Sequence, residues 1–167
     1  MAENEKEVRI ARIIACFSPG SAGAPEAIAR LAKEMQAELL GLFIEDVELL
    51  RFAGMPFAQE VGFPSASRRA MDVDALERQM RAQARALEVT LAAIMGPAPA
   101  GWSFRVERTT PASAVEAALA EGMAPALLIP PGANPRAERR VLRRPQISGE
   151  SLRTLLRALR PVLILPE

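Results

Sequence analysis

The chain reads as one doubly wound α/β domain: a five-stranded parallel sheet with helices on both faces. Three observations predict it. Short runs rich in Ile, Val and Leu recur along the chain and suit strands buried on both faces. Between them lie segments with apolar residues at helical spacing. Turn and cap residues, chiefly Pro, Gly, Ser and Asp, stand where one type of segment gives way to the next.

Taken in order, residues 1–7 are charged and expected to fray as a disordered N-terminus, leaving 8–167 as the domain. Val8–Phe17 is the first strand. SPGSAGAP is turn chemistry, with Pro25 placed for the first turn of a helix striped by Ile28, Leu31, Ala32, Met35 and Leu39. Leu39–Ile44 is the second strand. From Glu45 to Met71 the periodicity is weak and broken by Gly54, Pro56, Gly62 and Pro64, so a short helix near Val47–Phe52 and a long surface loop are expected. The apolar Met55, Phe57 and Phe63 suit a lid or, more simply, packing.

A long helix over Ala75–Met95 follows, with Asp74 and Glu77 resembling a capping box and Leu76, Met80, Ala84, Leu87 and Leu91 as its buried stripe. Trp102–Arg108 alternates as a half-exposed strand does, with Trp102 as packing. Thr110-Pro111 opens a helix that Gly122 ends. Ala126–Ile129 is the fourth strand. The last helix has Ser148 as N-cap and the stripe Leu152, Leu155, Leu156 and Leu159; Pro161 ends it before the fifth strand, Val162–Leu165. No internal repeat or low-complexity segment appears.

Composition narrows the function. The chain has 167 residues, 50% hydrophobic and 25% charged, with a formal net charge of +1, so nothing in the total charge draws it to nucleic acid or acidic membranes. It has no histidine, which removes the commonest general base and metal ligand. A lone cysteine, Cys16, makes no internal disulfide and no CxxC metal site. MAENEKEVRI is too polar for a secretory signal, and no apolar run approaches the roughly 18–20 residues a bilayer demands. A reducing, cytoplasmic setting is the expectation.

In a parallel sheet the ligand sits at the carboxyl ends of the strands. The loop after the fourth strand carries Gly132, several prolines and the arginines Arg136, Arg139, Arg140, Arg143 and Arg144. Those arginines read either as an anion site, guanidinium forks taking the place of backbone amides, or as a solvated loop balanced in part by Glu138. With no interleaved aromatics and no tyrosine in the chain, nucleic acid is a poor fit. Cys16 reads as a small buried residue more readily than as a nucleophile. Ser18 and Ser21 suit turn and cap chemistry or a phosphate at the helix N-terminus. Glu45 and Asp46 are placed to bind a ribose hydroxyl or to start the next helix.

The residues IIACFSPGS (13–21), the helix containing LAKEMQAEL and the strand LLGLFIED look like the first βαβ unit of the universal stress proteins. SGESLRTLLRALRPVLILP resembles that family's last helix and strand. The resemblance implies a sheet ordered 3-2-1-4-5, homodimers formed partly through the last strand, and roles in stress survival or regulation. One branch of the family binds ATP, through an acidic residue at the end of strand one and a loop Gly-x2-Gly-x9-Gly-Ser/Thr after strand four. Here Cys16 stands at the acidic position and Ser18 matches the turn serine. Gly132 stands for the first glycine, Pro135 replaces the second, and the closing pair is reversed as Ser148-Gly149. Proline has no N–H to give a phosphate and fixes φ, so these losses bear directly on binding.

The expected function is therefore that of a non-catalytic, dimeric, cytoplasmic stress-response or regulatory protein, acting through a protein partner, with no cofactor and a degenerate nucleotide site. The alternative is a sensor of ATP, AMP or phosphate, held by Cys16, Ser18, Ser21, Gly132, Arg136, Ser148 and Gly149. An enzyme of the same broad fold is disfavoured by the missing histidine and phosphate loop.

Overall fold

The computed structural model of the protein describes residues 8–21, 23–61, 65 and 67–166; the expected fraying of 1–7 lies outside them. β1 (Arg12–Phe17) and β2 (Glu38–Ile44) pair in parallel, Ile13 beside Leu39 and Cys16 beside Leu42. Side chains on a strand alternate between faces. On β1 this sends Ile13, Ala15 and Phe17 to one half of the core and Ile14 and Cys16 to the other. Two helices cover the first half. α1 (Pro25–Met35) lays down Ile28, Ala29, Leu31 and Ala32. The long helix α3 (Val73–Met95) adds Met80, Ala84, Leu87, Leu91 and Met95 along one face. The second half is covered by α4 (Pro111–Ala120) and α5 (Gly149–Arg157).

The remaining elements complete the sheet. α2 (Val47–Ala53) follows β2, and β3 (Gln59–Val61) pairs antiparallel with β4 (Arg68–Ala70). β5 (Trp102–Glu107) lies parallel beside β2, and β6 (Ala126–Ile129) lies parallel beside β1. β7 (Arg140–Arg143) is parallel to β8 (Val162–Leu165), and β8 is antiparallel to β6. The main sheet thus has six strands in the order β5-β2-β1-β6-β8-β7.

The mostly parallel α/β sheet agrees with expectation, and several of its details do not. The five strands foreseen keep their neighbours, but β7 adds a sixth at the edge, and β8 runs against the parallel set. The reason lies in the loop after β6. Instead of leading straight into the last helix, the chain forms β7 and travels to the opposite end of the sheet, where Arg144 donates to the carbonyls of Leu119 and Gly122 at the end of α4. α5 then returns and β8 enters from the end at which β6 leaves, Val162 beside Leu128. β8 is consequently flanked on both sides, by β6 and β7, so Val162–Leu165 is not itself an edge of the sheet.

Smaller differences are local. The expected loop after α2 contains the β3–β4 hairpin, while Phe63 lies outside the described residues. α3 starts at Val73, because the Asp72 carboxylate, not Asp74, accepts from the N–H groups of Asp74 and Ala75. β1 starts at Arg12 although Ile10 is already buried. α5 stops at Arg157, which leaves Leu159 66% exposed and out of the stripe. Ser148 caps α5 as expected, accepting from the Ser151 N–H. Trp102 packs partly buried against the core.

Two positions test this architecture. A Cβ on Gly41, at the centre of β2, would lie 2.9 Å from Leu91 Cδ1 and from Phe104 Cδ2. Gly41→Ala should cost about 1–3 kcal/mol through overpacking, read as a lower melting temperature; an unchanged melt would mean that α3 and β5 do not close on β2. Glu121 accepts from both terminal guanidinium nitrogens of Arg105 and, at 2.9 Å, from Arg12. The Arg105 hydrogen bond, helped by Arg12 against partial burial, holds its carboxyl down at about 2. A depressed carboxylate stabilises above its unfolded value, and that stability is lost as pH falls through the folded one. The melting temperature should therefore drop more steeply between about pH 4.5 and 2 in the wild type than in Glu121→Gln, and parallel curves would contradict the assignment.

Candidate functional site

β1, β2, β5 and β6 all end at the same side of the sheet, and the chain order changes direction between β1 and β6. Crevices for ligands form at such switch points. Here the crevice is a cavity of about 350 Å³ lined by Ser18, Asp46, Thr110, Pro131, Arg153 and Arg157, among others. Each strand end supplies one wall. Several of these polar groups are already engaged: Asp46 caps α2 by accepting from the Glu48 N–H at 3.0 Å, and Thr110 caps α4 by accepting from the Ser113 N–H at 3.3 Å.

The turn after β1 is short. Ser21 N–H donates to the Ser18 carbonyl at 3.0 Å, and Gly20, at φ +78°, donates its N–H to the Gln83 amide oxygen on α3. The N-cap of α1 is Ala24, without a side-chain cap, so the serines build the turn and do not cap the helix. The turn after β6 faces it. Ala133 N–H donates to the Pro130 carbonyl at 3.1 Å, with Pro131 and Gly132 between them and Gly132 at φ +75°. Proline followed by a positive-φ glycine is what a type II turn requires, so Gly132 is explained by the turn itself. A Cβ there would stand 3.4 Å from the Ser21 Oγ, a buried oxygen without a hydrogen-bond partner among the described residues.

The structure thus brings Ser21 and Gly132 into contact and puts Ser18 on the crevice wall. It does not bring the other candidates there. Cys16 is core, facing Leu42 and the α4–α5 side, and burial pushes its thiol up to about 12. A thiol so protonated is neither nucleophile nor ligand at neutral pH. Arg136 turns to α1, one guanidinium nitrogen donating to both carboxylate oxygens of Glu34 at 2.9 and 3.0 Å. Ser148 and Gly149 open α5 at the far end of the sheet, Gly149 packed against Glu116 of α4. The chain reaches that end through β7, which separates them from Gly132.

The arginines of the loop part company in the same way. Arg144 closes the end of α4, Arg140 and Arg143 belong to β7, and Glu138 pairs with Arg160 instead of with its own cluster. Glu45 is buried and paired with Arg108 at 2.9 Å, so it serves as a partner for a guanidinium and does not wait for a ribose. The cations on the crevice wall are Arg153 and Arg157, which the sequence reading passed over. Their spacing of four residues on the helix whose Leu stripe is buried was the available signal. Among the described residues no group of His, Cys, Asp and Glu is arranged to hold a metal, and no helix is long and apolar enough to cross a membrane. Phe57 packs edge-on against Phe52, with ring centroids 6.4 Å apart, yet stays 71% exposed.

Cys16 offers a direct check. In the folded protein near pH 8 a water-soluble maleimide should label it at least about 100-fold more slowly than in denaturant, as a thiol titrating near 12 requires. Labelling at the rate of a free thiol would place Cys16 outside the core.

No protein-family model matches the chain, and no curated protein matches it in sequence. Among solved structures, the chain is similar to the crystal structure of a protein from the universal stress protein family from Burkholderia pseudomallei. The two share 17% identity over 95% of this chain and 98% of that one, with a TM-score of 0.49.

Proposed function

We propose that this protein is a non-catalytic regulatory protein of the universal-stress type, working through a protein partner and holding no nucleotide as a resident cofactor. The observation that carries this reading is the direction of α5. A phosphate cradle of the kind the sequence resembles needs the loop glycine and the closing Ser-Gly pair on one ligand. Gly132 sits beside Ser21 in the turn that puts Pro131 on the crevice wall, whereas Ser148-Gly149 opens a helix at the opposite end of the sheet. The protonated, buried Cys16 and the prolines around Gly132 support the same conclusion. A lone thiol with no disulfide partner fits a reducing cytoplasm.

One observation favours the second reading, a sensor of small anions. Arg153 and Arg157 stand with the Ser18 hydroxyl on the wall of the 350 Å³ crevice, and guanidinium forks suit phosphate or carboxylate. Asp46 and Glu48 share that wall and oppose a highly charged anion. We therefore rank the sensor second.

Thermal melting separates the two. A ligand present at 100 times its dissociation constant stabilises by about 2.7 kcal/mol, a shift of several degrees in a domain of this size. We expect no shift with millimolar ATP, AMP or inorganic phosphate and no ATP turnover. A stabilisation that vanishes in Arg153→Ala or Arg157→Ala would establish the sensor instead.

A further inference from the structure

The two edges of the main sheet differ in chemistry. β5 ends one side and β7 the other. In β5 the carbonyls of Gly101 and Glu107 accept from Leu39 and Glu45 N–H groups of the β2 segment. Backbone groups alternate in direction along a strand, so those of Ser103 and Arg105 also face β2, and the N–H and C=O of Trp102, Phe104 and Val106 face outward. Among the described residues no strand lies beside them. Val106, 47% exposed, stands next to a shallow groove of about 180 Å³ between Phe104 and the arginines Arg81 and Arg85 of α3. β5 has no proline, no lysine and no bulge, and its two charged residues, Arg105 and Glu107, are of opposite sign.

β7 is the contrast. Arg139, Arg140, Arg143 and Arg144 flank only two apolar residues. Antiparallel pairing of two copies centred on Val141 sets Arg139 against Arg143, and centring on Leu142 sets Arg140 against Arg144. Like charges directly opposite are destabilising, so that edge repels its own copy.

We propose that β5 is the self-association edge: two copies of the chain pair antiparallel through it, about a two-fold axis at Val106, and the sheet runs on from one protomer into its partner. Charge selects the register. Residues directly opposite in an antiparallel pair point to the same face, so a symmetric pairing must centre on a residue. Centred on Arg105, it opposes Arg105 to itself. Centred on Phe104, it leaves Arg105 opposite Ser103 and Glu107 opposite Gly101. Centred on Val106, it sets Arg105, whose terminal nitrogens also hold Glu121 of its own protomer, opposite Glu107 of the partner subunit twice over, and it joins the exposed Val106 pair through their outward N–H and C=O groups. Main-chain bonds of this kind give the affinity in strand addition, and the side-chain pairs give the register. This goes beyond the proposed function and does not depend on it, since either reading admits a dimer.

Sedimentation equilibrium of the full chain over about 5–500 µM suits an interface at the small end of the specific range. A dimer is expected. The Val106 N–H faces outward, so Val106→Pro removes no bond to β2; it should weaken the dimer at least about 100-fold while circular dichroism stays that of the wild type. Should the proline variant fail to fold, Val106→Lys reads the same contact. Glu107→Arg sets Arg105 against an arginine and should weaken the dimer at least about 10-fold, whereas Val141→Lys on β7 should leave it unchanged. A wild type that stays monomeric at the highest concentration overturns the proposal. So does a dimer that survives all of the Val106 and Glu107 variants, or one that is lost in Val141→Lys alone.

Discussion

Four residues decide the layout of the last third of the chain. Once Arg140–Arg143 pairs beside Val162–Leu165, the chain stands at the far end of the sheet and α5 has only one way to return. Its direction then sets everything that follows. The Leu152, Leu155 and Leu156 stripe closes the core against α4, Arg153 and Arg157 come to the crevice, and β8 runs antiparallel to β6. The pair of hydrogen bonds from Arg144 anchors this arrangement, one to the Leu119 carbonyl in the last turn of α4, where carbonyls have no intrahelical partner, and one to the Gly122 carbonyl just beyond the helix. A short edge strand therefore has more influence on the site than any residue lining it.

The chain's cations follow a common pattern. Lys and Arg number 21 against 20 Asp and Glu, and the structure spends many of the arginines on helix ends and carboxylates. Arg12 and Arg105 converge on Glu121, Arg108 on Glu45 and Glu77, Arg136 on Glu34, and Arg160 on Glu138. Exposed pairs of this sort contribute little each, about 0–1 kcal/mol. Their effect here is positional, tying loops to helices distant in sequence. Arg105 links the β5 edge to the end of α4, and Arg136 links the loop after β6 to α1. Within the arginine-rich loop itself, Arg136 is taken by the Glu34 carboxylate and Arg144 by backbone carbonyls.

Much of this was legible in the residues. The central strands declared themselves because both faces are buried, so Arg12–Phe17, Glu38–Ile44 and Ala126–Ile129 are nearly unbroken apolar runs. Thr110-Pro111 and Ser148 marked helix starts because caps are local chemistry. β7 was hidden because an edge strand exposes its side chains, and Arg-Val-Leu-Arg between further arginines looks like solvated loop. The β3–β4 hairpin was hidden for the same reason, six short-strand residues with scarcely any burial. The site suffered most, because matching Ser148-Gly149 to a closing motif presumed a helix direction that local patterns do not encode. Ser18, Ser21 and Gly132 were found because turns write themselves into sequence, and Arg153 and Arg157 were missed because helical arginines are usually solvent.

The position of β8 carries a consequence for how the molecule comes into being. It is the last of the eight strands among the described residues, yet it lies between β6 and β7. As the polypeptide emerges, β6 can dock on β1, but its outer edge stays unpaired, and β7 has no neighbour at all until β8 arrives. Completing the sheet then means inserting a strand into a gap, a step that waits for α5 to fold and for contacts of long sequence separation to form. Until that moment the nascent chain presents the apolar edge of Ala126–Ile129 to its surroundings, where another chain's strand, or a chaperone's groove, can reach it first.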